Sequence, residues 1–208
     1  MIIKIIDIEK EFKNKESEIP KIFDYINQII NEKNIFLKSM EIDGIEIYDN
    51  FYEYFLDKME SINIIEIKIQ TLNQLIDDVI YDSWEYIVKA IPLIERLSVS
   101  FKKNPTEKSW QELGNLFSGI EWILETYRNI DQYKNLSELV PNYYIWNEYV
   151  VELEKLKQAL PDFFEAINNK DTILIGDVLE YEINPLFESI SEKLNKLAKK
   201  DVNNQNAN

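Results

Sequence analysis

The spacing of hydrophobic positions changes several times within the first 70 residues. At the start of the chain, isoleucines alternate with polar residues, and Ile2, Ile6 and Ile8 fall on one side of that alternation. A period of two indicates extended structure, so this segment predicts a strand or a hairpin that turns near Glu9-Lys10. Apolar residues then recur every three or four positions from Ile19 to Ile30, which predicts an amphipathic helix.

The rest of this region predicts a second pair of strands, a short helix and a final strand. The extended segment 35–47 contains the dipeptide Asp43-Gly44, which is typical of a hairpin turn. Asp49 is a candidate cap for a short helix, and residues 65–69 alternate isoleucine with polar side chains. This order of elements predicts a small β-grasp-like or split α+β unit over residues 1–70.

From residue 71 onwards the apolar positions keep a helical spacing. Four long amphipathic helices with short connections predict a mainly antiparallel four-helix bundle. The fold class is therefore α+β, with the bundle over residues 71–200 and a disordered tail over residues 201–208. The predicted helix starts are Thr71, with Gln74 completing a capping box, Asn104-Pro105, the residues after the break Asn135–Pro141, and Asp171.

Three of the four predicted helices contain a proline well inside their apolar pattern. These are Pro92, Pro161 and Pro185. Proline has no amide hydrogen and its ring crowds the preceding turn, so we expect each one to kink or split its helix.

The chain contains no histidine and no cysteine, which excludes most enzyme chemistries. Ser-His-Asp and Cys-His nucleophiles, thiol redox sites, disulfides and nearly all zinc sites need those residues. The net charge of −15 opposes binding to nucleic acid or to an anionic membrane. No apolar run is long enough for a signal peptide or a membrane span, so we expect a cytoplasmic protein without a cofactor.

Acidic residues on two predicted helices leave one catalytic alternative open. Asp78 and Asp82 are four positions apart, as are Glu121 and Glu125 on the next helix. Carboxylates on facing helices could hold magnesium or manganese, because these hard cations prefer oxygen ligands. The alternative function is thus a Mg- or Mn-dependent hydrolase. Like charges at this spacing are otherwise typical of a solvated helix face.

Several aromatic residues lie outside the apolar stripes of their helices. Aromatic side chains are enriched at the centres of protein interfaces, so these residues are candidates for binding a partner. The other interpretation is that they pack in the core. The candidate partner-binding residues are Trp84, Trp122, Tyr143, Tyr144 and Trp146.

The segment from Asp171 to Leu186 contains the string Asp-Val-Leu-Glu-Tyr-Glu-Ile-Asn-Pro. It resembles an uncharacterised bacterial family of small acidic proteins with a D-x-L-x-Y-E-x-x-P-like pattern. The resemblance implies no activity, cofactor or site. Asp177, Tyr181 and Glu188 share one helix face, where we expect structural polar contacts across the bundle.

The hypothesis that follows is a non-enzymatic protein-interaction module, similar in general character to acidic helical adaptors and chaperones. The partner is another protein or a second copy of the chain, and it is neither nucleic acid nor membrane. A self-associating structural protein would use Trp84, Trp122 or Tyr143 at its interface. No catalytic residue is assigned.

Overall fold

The computed structural model describes residues 1–198, so the predicted tail over residues 201–208 lies outside the described part. The chain divides into two compact units. The first is Met1–Leu75, and the second begins at Ile76. A sheet with two helices in the first unit and only helices in the second make the protein α+β, which confirms the predicted fold class.

The first unit is built on a five-stranded mixed sheet. The strands lie in the order β2-β1-β5-β3-β4, and only β1 and β5 run parallel to each other. The last strand, β5, lies at the centre of the sheet between the hairpins β1–β2 and β3–β4. This is a β-grasp arrangement. Its elements are β1 (Ile2–Ile5), β2 (Ile8–Glu11), α1 (Ile19–Lys33), β3 (Phe36–Ile42), β4 (Ile45–Ile47), α2 (Phe51–Lys58) and β5 (Ile64–Gln70).

The first hairpin differs from its prediction in both turn and inner face. It turns at Ile6-Asp7, so the predicted turn near Glu9-Lys10 is wrong. Ile3 and Ile5 are fully buried, whereas the predicted inner face that begins with Ile2 is exposed. Because β1 carries isoleucines on both faces, alternation alone could not select the buried one. The parallel pairing of β1 with β5 decides it, since a shift of one residue exchanges the faces of a strand.

One hydrophobic core fills the first unit. It combines the inner face of the sheet with one stripe of α1, whose isoleucines recur at helical spacing. Its buried residues are Ile3, Ile5, Ile19, Ile22, Ile26, Ile29, Met40, Ile42, Phe55, Met59, Ile62, Ile65 and Ile67.

Helices alone form the second unit. The first helix, α3 (Leu72–Lys103), begins at the end of the first unit and continues into the second unit. It is followed by α4 (Glu107–Asp131) and the short α5 (Leu136–Leu139). The last three helices are α6 (Tyr143–Asn168), α7 (Thr172–Val178) and α8 (Asn184–Ala198), with a π-helical turn, Leu179–Ile183, between α7 and α8. None of the helices within residues 1–198 combines the length and apolar character needed to cross a membrane.

The helix caps test the predicted starts. The capping box at the start of α3 is confirmed, because the Gln74 amide donates to Thr71 Oγ1 and Gln74 Oε1 accepts from the Thr71 amide. The predicted cap at Asn104-Pro105 is wrong by two residues. The cap of α4 is Thr106, whose hydroxyl accepts from the Ser109 amide at 3.2 Å.

The interior prolines do not divide their helices as expected. Both α3 and α6 continue without interruption past Pro92 and Pro161. Only at Pro185, the second residue of α8, is the regular pattern broken, because the π-helical turn comes directly before α8.

Candidate interaction surface

An antiparallel pair of helices, α3 and α4, forms one side of the second unit. Arg96 Nη2 donates to Glu112 Oε1 at 3.1 Å, and the ring of Phe101 meets that of Trp110 edge-on with centroids 4.8 Å apart. Residues late in α3 thus contact residues early in α4, as a hairpin of two helices requires. This pairing places the middle of α4 beside the first half of α3.

The side chain of Tyr86, on α3, packs against α4 at Gly119. A Cβ built on Gly119 would lie 1.9 Å from Tyr86 Oη, so only glycine leaves room for this ring. The Tyr86 hydroxyl donates to the Leu116 carbonyl at 3.2 Å, and burial raises the pKa of Tyr86 to about 12. Its ring then meets that of Trp122 edge-on, with centroids 6.2 Å apart.

Trp122 is the exposed member of this pair. It keeps 41% of its surface in contact with solvent, although the contact with Tyr86 holds its indole in place. A large aromatic side chain that is both ordered and exposed is typical of a binding surface. The sequence analysis identified Trp122 but missed Tyr86 and Gly119, because nothing in the linear pattern relates two residues on different helices.

Three carboxylates lie within one helical turn of the Tyr86–Trp122 pair. On α3, Asp82 comes four residues before Tyr86. On α4, Glu121 directly precedes Trp122, and Glu125 follows Trp122 by three residues. None of the salt bridges within residues 1–198 includes any of the three. We call this set, Asp82, Tyr86, Glu121, Trp122 and Glu125, the acidic–aromatic surface.

The pKa of Asp82 reflects its burial and the charges around it. Partial burial raises the pKa of Asp82, and the neighbouring carboxylates of Asp78 and Glu85 raise it further. Glu85 differs, because Lys89 Nζ lies 2.9 Å from its carboxylate and lowers its pKa.

The predicted metal ligands are not gathered into a metal centre. Within residues 1–198 there is no group of three or more acidic side chains that could hold a metal ion. Asp78 and Asp82 remain a pair on α3, and Glu121 and Glu125 a pair on α4. The antiparallel packing of the helices therefore brings these residues to one side of the unit without forming a cage of oxygen ligands.

The other candidate aromatic residues have different environments. Trp84 is partly buried and contacts the ring of Tyr81, whose centroid is 5.8 Å away. Tyr143 and Tyr144 lie in the first turn of α6 and are exposed, Tyr144 by 70%. Tyr144 is hydrogen-bonded to Glu148, which also accepts from Lys193 Nζ at 2.8 Å, so its surroundings are already neutralised.

Trp146 is a core residue and not part of a surface. Only 1% of it is exposed, its ring meets that of Tyr149 edge-on, and its Nε1–H donates to Asp131 Oδ1 at 2.9 Å. The buried stripe of α6 begins with Trp146 and continues through Tyr149 and Leu153. Trp146 is therefore unavailable to a partner, and its selection as a partner-binding residue is corrected.

The segment that carries the family resemblance is anchored by a single lysine of α3. Lys102 Nζ lies 2.7 Å from both Asp177 Oδ1 and Glu180 Oε2, and 4.6 Å from the centre of the Tyr181 ring. Asp177 and Tyr181 thus make the expected contacts across the bundle. Glu188 does not, since it accepts a hydrogen bond from Asn184 within its own helix.

We expect Lys102→Met to lower the thermal midpoint of unfolding at neutral pH, because methionine keeps the stem and loses both ion pairs. Hydrogen bonds to Asp177 and Glu180 raise the pKa of Lys102 above 10.5, and the hydrogen bond from Lys102 lowers the pKa of Glu180 below 4.5. The stabilisation is therefore present between these two values, and it is lost as the pH falls through the lowered pKa of Glu180. Circular dichroism melts across this pH range check both statements.

Lys155→Met is the matched control, because the exposed Lys155 forms an ion pair with Glu152, three residues away on α6, and this pair does not link two helices. Isolated, exposed ion pairs contribute little to the free energy of unfolding. An equal loss for the two variants, or a loss at Lys102 that does not diminish as the pH is lowered from neutrality, would contradict the assigned role.

Comparison with known proteins identifies one family. The family described as Domain of unknown function (DUF8042) matches residues 78–193, which includes the whole segment from Asp171 to Leu186. No curated protein and no solved structure matches the chain. The predicted resemblance to an uncharacterised family is confirmed. Because the match spans more than half of its residues, from α3 into α8, the chain belongs to the DUF8042 family.

Proposed function

We propose that this protein is a non-enzymatic interaction module, adaptor-like or chaperone-like, whose helical unit binds another protein. The observation that carries the proposal is Trp122, a tryptophan that is 41% exposed and held in one orientation by its contact with Tyr86. Tryptophan and tyrosine supply much of the binding energy of protein interfaces, because they bury a large area at a small cost in conformational entropy.

Two further features support this function. The same unit exposes other aromatic residues, Tyr81, Tyr143 and Tyr144. The chain also lacks histidine and cysteine, the side chains on which most hydrolytic and redox sites depend. We further propose a cytoplasmic location, with which the absence of cysteine is compatible.

Site-specific crosslinking tests this proposal. A benzoylphenylalanine introduced in place of Trp122, Tyr144 or the exposed control residue Glu165 is activated in cells of the source organism. We expect one discrete crosslinked protein at position 122 that is absent at position 165. A crosslinked dimer of the chain would instead support the self-associating alternative. Products at positions 122 and 144 no stronger than those at position 165 would contradict the proposal.

A further inference from the structure

We propose that the partner binds the acidic–aromatic surface through a segment rich in lysine or arginine. This inference rests on the proposed function and adds the chemistry of the partner. The binding surface is the outer side of the α3–α4 pair in the second unit. The expected partner is a cationic and partly apolar segment of another protein.

Unpaired negative charge is the first argument. Asp82, Glu121 and Glu125 take part in no salt bridge found among residues 1–198, although many other acidic side chains of that part do. Partial burial raises the pKa of Asp82, and repulsion from Asp78 and Glu85 raises it further, while Lys89 offsets part of this rise. A cationic partner would relieve this repulsion, whereas an anionic one would increase it.

The indole of Trp122 supplies the second argument. Tryptophan is the best aromatic partner for an ammonium or guanidinium group, and the alkyl stems of lysine and arginine cover apolar surface at the same time. Because the indole already packs against the ring of Tyr86, less side-chain entropy is lost when a partner binds it than for a free side chain.

The other exposed aromatic sites lack this combination. At Tyr144, the nearby carboxylate of Glu148 is neutralised by Lys193, and beside Tyr81 the carboxylate of Glu85 is paired with Lys89. The acidic–aromatic surface joins the exposed Trp122 to Glu121 and Glu125, which take part in no salt bridge found among residues 1–198. Charge complementarity therefore favours this surface for a basic segment.

A labelled peptide titration tests the inference on the full-length protein. The probe is a fluorescein-labelled helical peptide of about 18 residues composed of leucine and lysine, with a second peptide in which glutamate replaces lysine. We expect the lysine peptide to bind, the glutamate peptide not to bind, and the affinity to fall as salt is raised. Fluorescence anisotropy measures all three results.

Two charge-matched double variants locate the site. Glu121→Gln/Glu125→Gln removes two negative charges from the acidic–aromatic surface, and Asp162→Asn/Glu165→Gln removes two from α6. We expect the first to weaken binding about tenfold and the second less than about twofold, since exposed ion pairs act only at short range in salt. Equal weakening would show unspecific attraction to an acidic protein and would overturn the inference.

Trp122→Ala should weaken binding about fivefold, while Tyr52→Ala, at an exposed aromatic residue of the first unit, should not change it. An unchanged affinity for Trp122→Ala would overturn the aromatic part of the inference. A discrete crosslink at position 122 that persists in Glu121→Gln/Glu125→Gln would overturn the cationic partner and leave the proposed function intact. The absence of any crosslink would instead contradict the proposed function.

Discussion

Replacing Trp146 with alanine should lower the free energy of unfolding by about 3–5 kcal/mol, the range for a large aromatic side chain removed from a packed core. The indole is almost fully buried, meets Tyr149 edge-on and donates a hydrogen bond to Asp131. Alanine would leave a cavity between α6 and the residues of α3 and α4 that line the same crevice, Ile80 and Tyr127 among them. Urea unfolding followed by far-UV circular dichroism measures the loss.

The control for this prediction is the exposed tryptophan. Trp122→Ala should change the free energy of unfolding by no more than about 1 kcal/mol, because much of its surface is already in water. Trp146→Phe should lower the free energy of unfolding by less than Trp146→Ala does. The protein with Trp146→Phe should still bind the lysine peptide. Similar destabilisation by the alanine variants at positions 122 and 146 would contradict the assignment of one to a surface and the other to the core.

Gly176→Ala should lower the free energy of unfolding by about 1–3 kcal/mol, although alanine favours helix formation over glycine by about 1 kcal/mol. A Cβ at this position would lie 2.8 Å from the Ser98 carbonyl oxygen and 2.5 Å from Lys102 Cγ. Both distances are below normal contact, and the carbonyl belongs to the backbone of α3, so the helices must move apart. Chemical unfolding of the variant measures the effect.

Gly114→Ala provides the opposite expectation. Gly114 also lies inside a helix, α4, but a Cβ there would have no neighbour within 4 Å. Only the gain in helix propensity remains, so the variant should be more stable by about 0.5–1 kcal/mol. A gain of stability at both glycines would contradict the close approach of α7 to α3.

The pattern of apolar positions predicted most of the secondary structure for a physical reason. A helix on the surface of a core repeats its apolar residues every three or four positions, and α1, α3, α4, α6 and α8 all follow this rule. The same local information explains the capping box at Thr71, since both of its partners lie within one turn. The first hairpin was predicted less well, because its isoleucines occur on both faces.

The candidate surface could be predicted only in pieces. The sequence analysis selected Trp122 as a partner-binding residue and Asp82, Glu121 and Glu125 as members of a metal site, under two separate hypotheses. Which residues of α3 lie beside Trp122 depends on the pairing of two helices and on the space above Gly119. Neither can be read from the spacing within one helix. Likewise, nothing in the period of α6 distinguished the buried Trp146 from the exposed Tyr144.

By itself, the sequence determined the α+β class, the helical spacing and the chemistry that the chain lacks, because these depend on composition and on residues a few positions apart. The tertiary structure alone decided which isoleucines of β1 are buried, that Trp146 belongs to the core, and that Lys102 anchors the segment resembling the family. Only packing brought Tyr86 of α3 into contact with Trp122 of α4. Contacts between residues distant in the chain arise from packing, and packing has no periodic signature in the sequence.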